Sequence, residues 1–196
     1  MKQTKTQTYY NQNHKELIEH YNSATPTPLH KLFNQYIQKS HKVLDIGFGS
    51  GRDLRYIRAL GAECWGVDST QGFVEALKQD SYFKERLFCA KLPILDLKID
   101  VKFDVIVSIA VIMHLRQDEL RVWVEDVKNY LAVGGKVIIS YSVTPRGNDE
   151  RFFEDLRGGV VGEIFLGVGF RLVEEVCSYD SLSRDIEWRS GVYQKV

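Results

Sequence analysis

Lys42-Val43-Leu44-Asp45-Ile46-Gly47-Phe48-Gly49-Ser50-Gly51-Arg52-Asp53-Leu54 decides the fold. A short apolar run ends in three glycines at alternate positions and passes into Leu54, Ile57 and Leu60, which recur at helical spacing. The stretch reads as a strand, a turn and a helix. Glycine is required where the backbone takes positive φ, or where a ligand lies against bare main chain with no Cβ in the way. The helix that follows turns its free N–H groups toward that turn, which favours an electron-rich or anionic group there.

A glycine turn alone is weak evidence, and the second feature stands 17 residues after Gly51, where Cys64-Trp65-Gly66-Val67-Asp68 reads as a strand ending in a carboxylate. In a right-handed β-α-β unit the two strands are neighbours, so Asp68 and the glycine turn share one edge of the sheet. A carboxylate there accepts hydrogen bonds from both hydroxyls of a ribose, each charge-assisted bond contributing about 1.5–3 kcal/mol. The pair of features predicts a nucleoside cofactor.

At these residues the chain resembles the class I S-adenosylmethionine-dependent methyltransferases. Asp45-x-Gly47-x-Gly49-x-Gly51 followed by Asp68 is similar to their first two motifs, and Gly49-Ser50-Gly51-Arg52-Asp53 resembles a small bacterial subgroup. The resemblance continues through Tyr9-Tyr10-Asn11-Gln12-Asn13, Phe103-Asp104-Val105-Ile106, Met113-His114-Leu115, Leu131-x-x-Gly134-Gly135, Ser183-Arg184-Asp185 and Trp188. It implies an α/β fold: a Rossmann-like class I methyltransferase domain with a seven-stranded, mostly parallel sheet, a C-terminal antiparallel hairpin and helices on both faces. It also implies S-adenosylmethionine as methyl donor and S-adenosylhomocysteine as product.

The 196 residues suit one domain, with residues 1–40 as a helical lid and 41–196 as the core. Lysine plus arginine equals aspartate plus glutamate, 26 against 26, so no broad field gathers a polynucleotide or an anionic membrane. The longest apolar run, Val105 to Met113, is too short to span a bilayer, and the polar start lacks a secretion signal, so the expected setting is the cytoplasm. The expected partner is a small-molecule acceptor, with the protein a monomer or weak homodimer. Arg52, Arg55 and Arg58 form a stripe expected to be a solvated face. Cys64, Cys89 and Cys177 are too scattered for a metal site or a disulfide framework, and each is expected to act as a small apolar residue in a strand.

In chain order, residues 1–8 are expected to be loose, Tyr9 to Tyr21 helical, and Leu29 to Ile37 a second helix after Pro26 and Pro28. Tyr9, Tyr10 and Tyr21 are candidates for the lid, or else ordinary packing residues. After Asp68, Ser69 or Thr70 caps a helix running to about Gln79, and Arg86 to Ala90 is the third strand. Where the family usually has an acid for the adenine amine, this chain has Ala90-Lys91-Leu92, leaving the base to backbone groups at Ala90 and Lys91 and to apolar contact with Leu92. Asp96 is an alternative acid in what reads as a solvated loop. Phe103 to Ile109 reads as a central strand beside the first, creating a topological switch point. A helix over Gln117 to Leu131 is closed by Gly134-Gly135, and Lys136 to Tyr141 is the fifth strand. Then follow a loop over Thr144 to Asp149, helices over Glu150 to Leu156 and Val160 to Gly167, and a closing pair of strands.

The implied cofactor-binding residues are Asp45, Gly47, Phe48, Gly49, Gly51, Arg52, Asp53, Asp68, Ser69, Ala90, Lys91, Leu92, Ile109 and Ala110. No metal is called for, since methyl transfer from a sulfonium is an in-line displacement that rests on alignment. His114 and Tyr10 are the candidate catalytic residues, His114 because an imidazole titrates near neutrality, Tyr10 because an aromatic face favours the sulfonium. His114 otherwise bonds a loop carbonyl. Arg52 and Asp53 orient the methionine end or form a local salt bridge, and Arg184 and Trp188 line the acceptor pocket or lock the hairpin. The competing readings are a nicotinamide-dependent oxidoreductase and a cofactor-binding module without catalysis. Gly-x-Gly-x-Gly differs from the dinucleotide spacing, and no second mononucleotide half follows.

Overall fold

A computed structural model describes residues 2–147, 149–182 and 184–196, with side chains from residue 5 onward. Ser183, part of the Ser183-Arg184-Asp185 stretch, therefore lies outside the described residues. The framework is the strand β1 (Lys42–Ile46), flanked by β2 (Glu63–Asp68) and β4 (Phe103–Ile109), both parallel to it. β3 (Leu87–Cys89) extends the sheet beyond β2 and β5 (Leu131–Ser142) beyond β4, again in parallel. β7 (Glu187–Lys195) pairs antiparallel with β5, and β6 (Phe170–Tyr179) antiparallel with β7, completing the order β3-β2-β1-β4-β5-β7-β6. Two parallel neighbours run outward from β1 in opposite senses, so the crevice between the carboxyl ends of β1 and β4 is the switch point.

Strand alternation divides the core in two. Val43, Val105 and Val107 point to one face, where they meet Phe33 of α2 (Thr27–Tyr36), Leu54 and Ile57 of α3 (Arg52–Ala59), and Phe73 and Val74 of α4 (Gln71–Leu77). Leu44, Ile46 and Ile106 point to the other, against Trp123 and Val124 of α5 (Gln117–Tyr130) and Phe165 of α6 (Val160–Gly167). Burial on both faces explains why β1 and β4 read as largely apolar runs. Each fully buried large side chain contributes about 1.5–3 kcal/mol.

Four boundaries differ from the sequence reading. The first helix, α1, runs from Lys2 to Ser23, so the polar residues before Tyr9 are helical. Tertiary contacts hold them: Thr6 is buried, its Oγ1 accepts from the Phe152 N–H at 2.7 Å, and the Gln7 amide donates to Ser69 O at 3.3 Å. Residues 150–156 are irregular where a short helix was expected, because their backbone bonds go outward: Glu154 N–H to Met113 O at 2.8 Å, and Phe152 N–H to α1. β5 begins at Leu131, which pairs with Phe103 immediately after α5, so Gly134 and Gly135 lie inside the strand. Thr70 occupies the cap position of α4 without a side-chain capping bond, its N–H being taken by Asp68. Among the described residues no helix is long and apolar enough to cross a membrane, and no cluster of metal-ligating side chains occurs.

Candidate active site

A cavity of about 490 Å³ opens at the switch point, lined by the glycine turn, the ends of β2 and β4, α1 and the segments after β5 and β6. Gly47, Gly49 and Gly51 all have positive φ, +79°, +54° and +76°. A Cβ on Gly47 would sit 2.3 Å from Val111 Cγ2, so that position is sterically closed; on Gly49 it would only touch the Tyr21 ring at 3.5 Å, beside the cavity. Gly51 does not line the cavity. It packs on Leu77 and is the residue from which α3 starts, so its role is to turn the chain.

Asp68, at the end of β2, closes onto this turn. Its Oδ2 accepts from the Gly49 N–H at 2.9 Å and its Oδ1 from the Thr70 N–H at 2.8 Å. Burial raises its pKa, while the Thr70 and Gly49 N–H groups, the Thr70 hydroxyl and the Ser69 N–H oppose the rise. Asp45 is buried too and lines the cavity, yet among the described residues no donor bonds its carboxylate. Burial, reinforced by the charges of Asp53 and Asp68, pushes its pKa well above the carboxylate range. A cationic or hydrogen-donating ligand would relieve both groups, and this unmet acid is the observation by which an S-adenosylmethionine site fits the residues present.

Arg52 and Asp53 form a bidentate pair at 3.0 and 2.7 Å, and Arg52 Nη1 also donates to Tyr21 O at 3.1 Å. His30 adds a contact to Asp53 at 3.4 Å. Burial opposes ionisation of Asp53, but the His30 and Arg52 bonds hold it below the ordinary range. Arg55 and Arg58 are exposed, as expected of a solvated face, with Arg55 bonded to Ser50 O and Asn22 and Arg58 bonded to Asp80 and 4.0 Å over the Tyr82 ring, whereas Arg52 is half-buried and ties α3 to α1. Of the cysteines, Cys64 is buried in β2, whereas Cys89 and Cys177 are exposed. Phe48, Ser69, Ala90, Lys91, Leu92, Ile109 and Ala110 all line the cavity. Asp96 lies outside it, paired with Lys98 at the surface. Ala110 has φ +60°, which bends the chain from β4 into a single 3-10 turn, Ile112–His114.

That turn delivers His114 beneath α1. His114 Nδ1 lies 2.6 Å from Phe152 O, a pure acceptor, so Nδ1 carries the proton. Nε2 lies 3.0 Å from the Tyr10 hydroxyl. Burial lowers the His114 pKa to about 4, with Arg151 and Arg146 nearby acting in the same direction, so at neutral pH the imidazole is neutral and Nε2 accepts from Tyr10. Burial also raises the Tyr10 pKa, against the Arg151 guanidinium, which donates to its oxygen at 3.3 Å. Tyr21 hydrogen-bonds Tyr10 as well. Tyr9 stays outside the cavity, edge-on to Tyr10 at 5.7 Å with Arg151 4.9 Å over its ring.

The far wall was the least legible part in sequence. Asp149 grips Arg151 through bonds of 2.9 and 2.7 Å, and Asp180 grips Arg184 through bonds of 2.9 and 2.8 Å while accepting from Trp188 Nε1 at 3.1 Å. Arg184 and Trp188 thus do both things expected of them: they line the cavity and lock the hairpin to Asp180. Asp180 and Thr6 carry no motif, and Arg146 is marked in sequence only by lying in the segment from Ser142 through Arg151 expected to enclose the acceptor.

Residues 44–137 match a family described as a methyltransferase domain. No curated protein matches the chain. Among solved structures the chain is similar to a 1,6-didemethyltoxoflavin-N1-methyltransferase from Burkholderia thailandensis with 1,6-didemethyltoxoflavin and S-adenosylhomocysteine bound (TM-score 0.79, 15% identity, 98% of this chain and 88% of that one). It is also similar to the magnesium protoporphyrin IX methyltransferase of Synechocystis with bound S-adenosylhomocysteine (TM-score 0.76, 13% identity, 100% of both chains). A TehB-like S-adenosylmethionine-dependent methyltransferase from Corynebacterium glutamicum matches with TM-score 0.69 and 22% identity, over 97% of this chain and 98% of that one. The glycine turn and the acid that closes onto it both lie within the matched methyltransferase-domain segment, and the chain as a whole has the Rossmann-like class I methyltransferase fold of these structures.

Proposed function

We propose that the protein transfers a methyl group to an oxygen, nitrogen or sulfur atom of a small-molecule acceptor, with residues 1–40 acting as a lid over a core of 41–196. One observation carries this reading: α1 roofs the cavity and hangs Tyr10 into it, bonded to a neutral His114. A cavity of about 490 Å³ beneath α1 suits a small ligand. The similar Burkholderia structure holds a small-molecule acceptor beside S-adenosylhomocysteine, which agrees with that.

When bound, S-adenosylmethionine supplies an electrophilic methyl group on a sulfonium. Asp68 would hold the ribose diol, and Asp45 would favour the cationic methionine end. Arg52, held by Asp53 and Tyr21 O, fixes the glycine turn against the lid. Leu92 and the backbone at Ala90 and Lys91 form the wall for the base, and Ile109 and Ala110 border the methyl path. Tyr10 takes the proton that the acceptor loses and passes its own to His114 Nε2, while Nδ1–H stays on Phe152 O. The low pKa of His114 keeps that lone pair free at neutral pH.

Isothermal titration with S-adenosylmethionine, S-adenosylhomocysteine and NAD tests the cofactor side. Incubation of a lysate with radioactive methyl donor, followed by size fractionation, tests the acceptor side. Label in the small-molecule fraction is expected; label confined to RNA, DNA or protein would overturn the reading.

A further inference from the structure

The acceptor wall carries one uncompensated positive charge. Three guanidiniums line it, Arg146, Arg151 and Arg184, and two carboxylates answer them, Asp149 on Arg151 and Asp180 on Arg184, each through a bidentate pair. Arg146 has no such partner. Its Nε is buried and, among the described residues, without any hydrogen-bond acceptor. The side chain lies 5.3 Å over the Phe153 ring, whose environment also holds Arg151 at 5.0 Å. Burial, followed by repulsion from Arg184 and Arg151, works against its charge, and Asp149 and Asp180 offset this only in part. A buried donor on a charged group left without an acceptor is costly, and an anion that reached it would remove the cost.

The other wall of the cavity is of opposite character, with Asp45, Asp53 and Asp68 around the glycine turn. The site is therefore polar along its length, acidic where the sulfonium belongs and basic where the acceptor enters. Resting on the small-acceptor reading above, we propose that the acceptor is a monocarboxylic acid whose carboxylate is received by Arg146, with the nucleophile that takes the methyl group elsewhere on the same molecule. The charge count selects the class: a single negative charge neutralises the wall, whereas a phosphate dianion would leave a buried negative excess. The Phe153 and Trp188 rings that border Arg146 and Arg184 suit a flat body behind the carboxylate.

The test uses the full-length protein saturated with S-adenosylhomocysteine and titrated with sodium benzoate, benzamide and inorganic phosphate at constant ionic strength. Benzoate should bind saturably with a Kd on the order of 1–10 mM, and benzamide, its neutral counterpart, should not. Phosphate should bind more weakly than benzoate. Arg146→Met should weaken benzoate at least about tenfold and Arg146→Lys less, while both keep wild-type affinity for S-adenosylhomocysteine, which certifies their fold. Absence of benzoate binding, equal binding of benzamide, tighter binding of phosphate, or indifference to Arg146→Met would each overturn the proposal while leaving the methyltransferase reading intact. Failure of the wild-type protein to bind S-adenosylhomocysteine would overturn both.

Discussion

Removing the Asp68 carboxylate should cripple cofactor binding without unfolding the protein, and replacement by asparagine should not rescue it. Both oxygens already accept a backbone N–H, from Gly49 at 2.9 Å and Thr70 at 2.8 Å, and the ribose assignment adds one hydroxyl to each. Two charge-assisted bonds of about 1.5–3 kcal/mol each put the loss at about 3–6 kcal/mol. At about 1.4 kcal/mol per factor of ten, that is at least a hundredfold in Kd. In Asp68→Asn the amide NH₂ must face one of the two N–H donors whichever way it is flipped, so a donor–donor conflict replaces a bond. Titration calorimetry with S-adenosylhomocysteine reads the affinity, and circular dichroism confirms the fold. The pH sense is fixed too: the diol donates to the ionised form, and burial raises the Asp68 pKa, so affinity should rise with pH until the carboxylate is fully ionised. Binding of either variant within threefold of wild type would refute the ribose assignment, since a bond lost at this site cannot be worth less than about 0.7 kcal/mol if it exists.

Asp45→Asn should weaken the pH dependence of cofactor affinity, because burial raises the Asp45 pKa and a cationic ligand is favoured by its ionised form; proton release measured in two calorimetry buffers checks this. Tyr10→Phe keeps the ring and loses the relay, so turnover of the labelled small-molecule fraction should fall about a hundredfold with cofactor affinity unchanged. Gly47→Ala should lower the melting temperature, costing about 2–4 kcal/mol from its left-handed φ and its clash with Val111, whereas Gly49→Ala should fold with a smaller cost and lose cofactor affinity. Asp180 is held down to about 2 chiefly by Arg184, so its contribution to the hairpin is complete above the ordinary carboxylate pKa and lost as pH falls toward 2; Asp180→Asn should melt less steeply with acid over that window, measured by tryptophan fluorescence.

What sequence could reveal tracks what is local. β1, its glycine turn and Asp68 lie within 27 residues, and strand period, helix period and positive φ are all short-range signals, so the cofactor half was legible. β4 was legible because burial on both faces leaves an apolar run. Residues 2–8 were misread because their helix has no apolar stripe and is held by Thr6 and Gln7 reaching segments far along the chain. Residues 150–156 carry helical spacing but spend their backbone bonds elsewhere. The bidentate pairs of the acceptor wall join residues two or four apart, Asp149 with Arg151 and Asp180 with Arg184, yet nothing in such spacing says that the pair faces a cavity.

Phe152 links three parts of the site by its backbone alone: its N–H is bound by Thr6 near the start of the chain, and its carbonyl by His114. The carbonyl decides which imidazole nitrogen stays basic. The peptide that carries it is positioned only once residue 6 meets residue 152, a loop closure of 146 residues, and Tyr10 meets His114 across another 104. Closures of that length cost more entropy than any within the β1–β2 unit, though only as the logarithm of their size. In the order of folding, the nucleoside pocket can therefore be complete while the histidine still has no assigned tautomer. If the amino-terminal helix came away, His114 would lose the Tyr10 hydroxyl and Phe152 its Thr6 anchor, while the bond between Asp68 and the glycine turn would stay within the core.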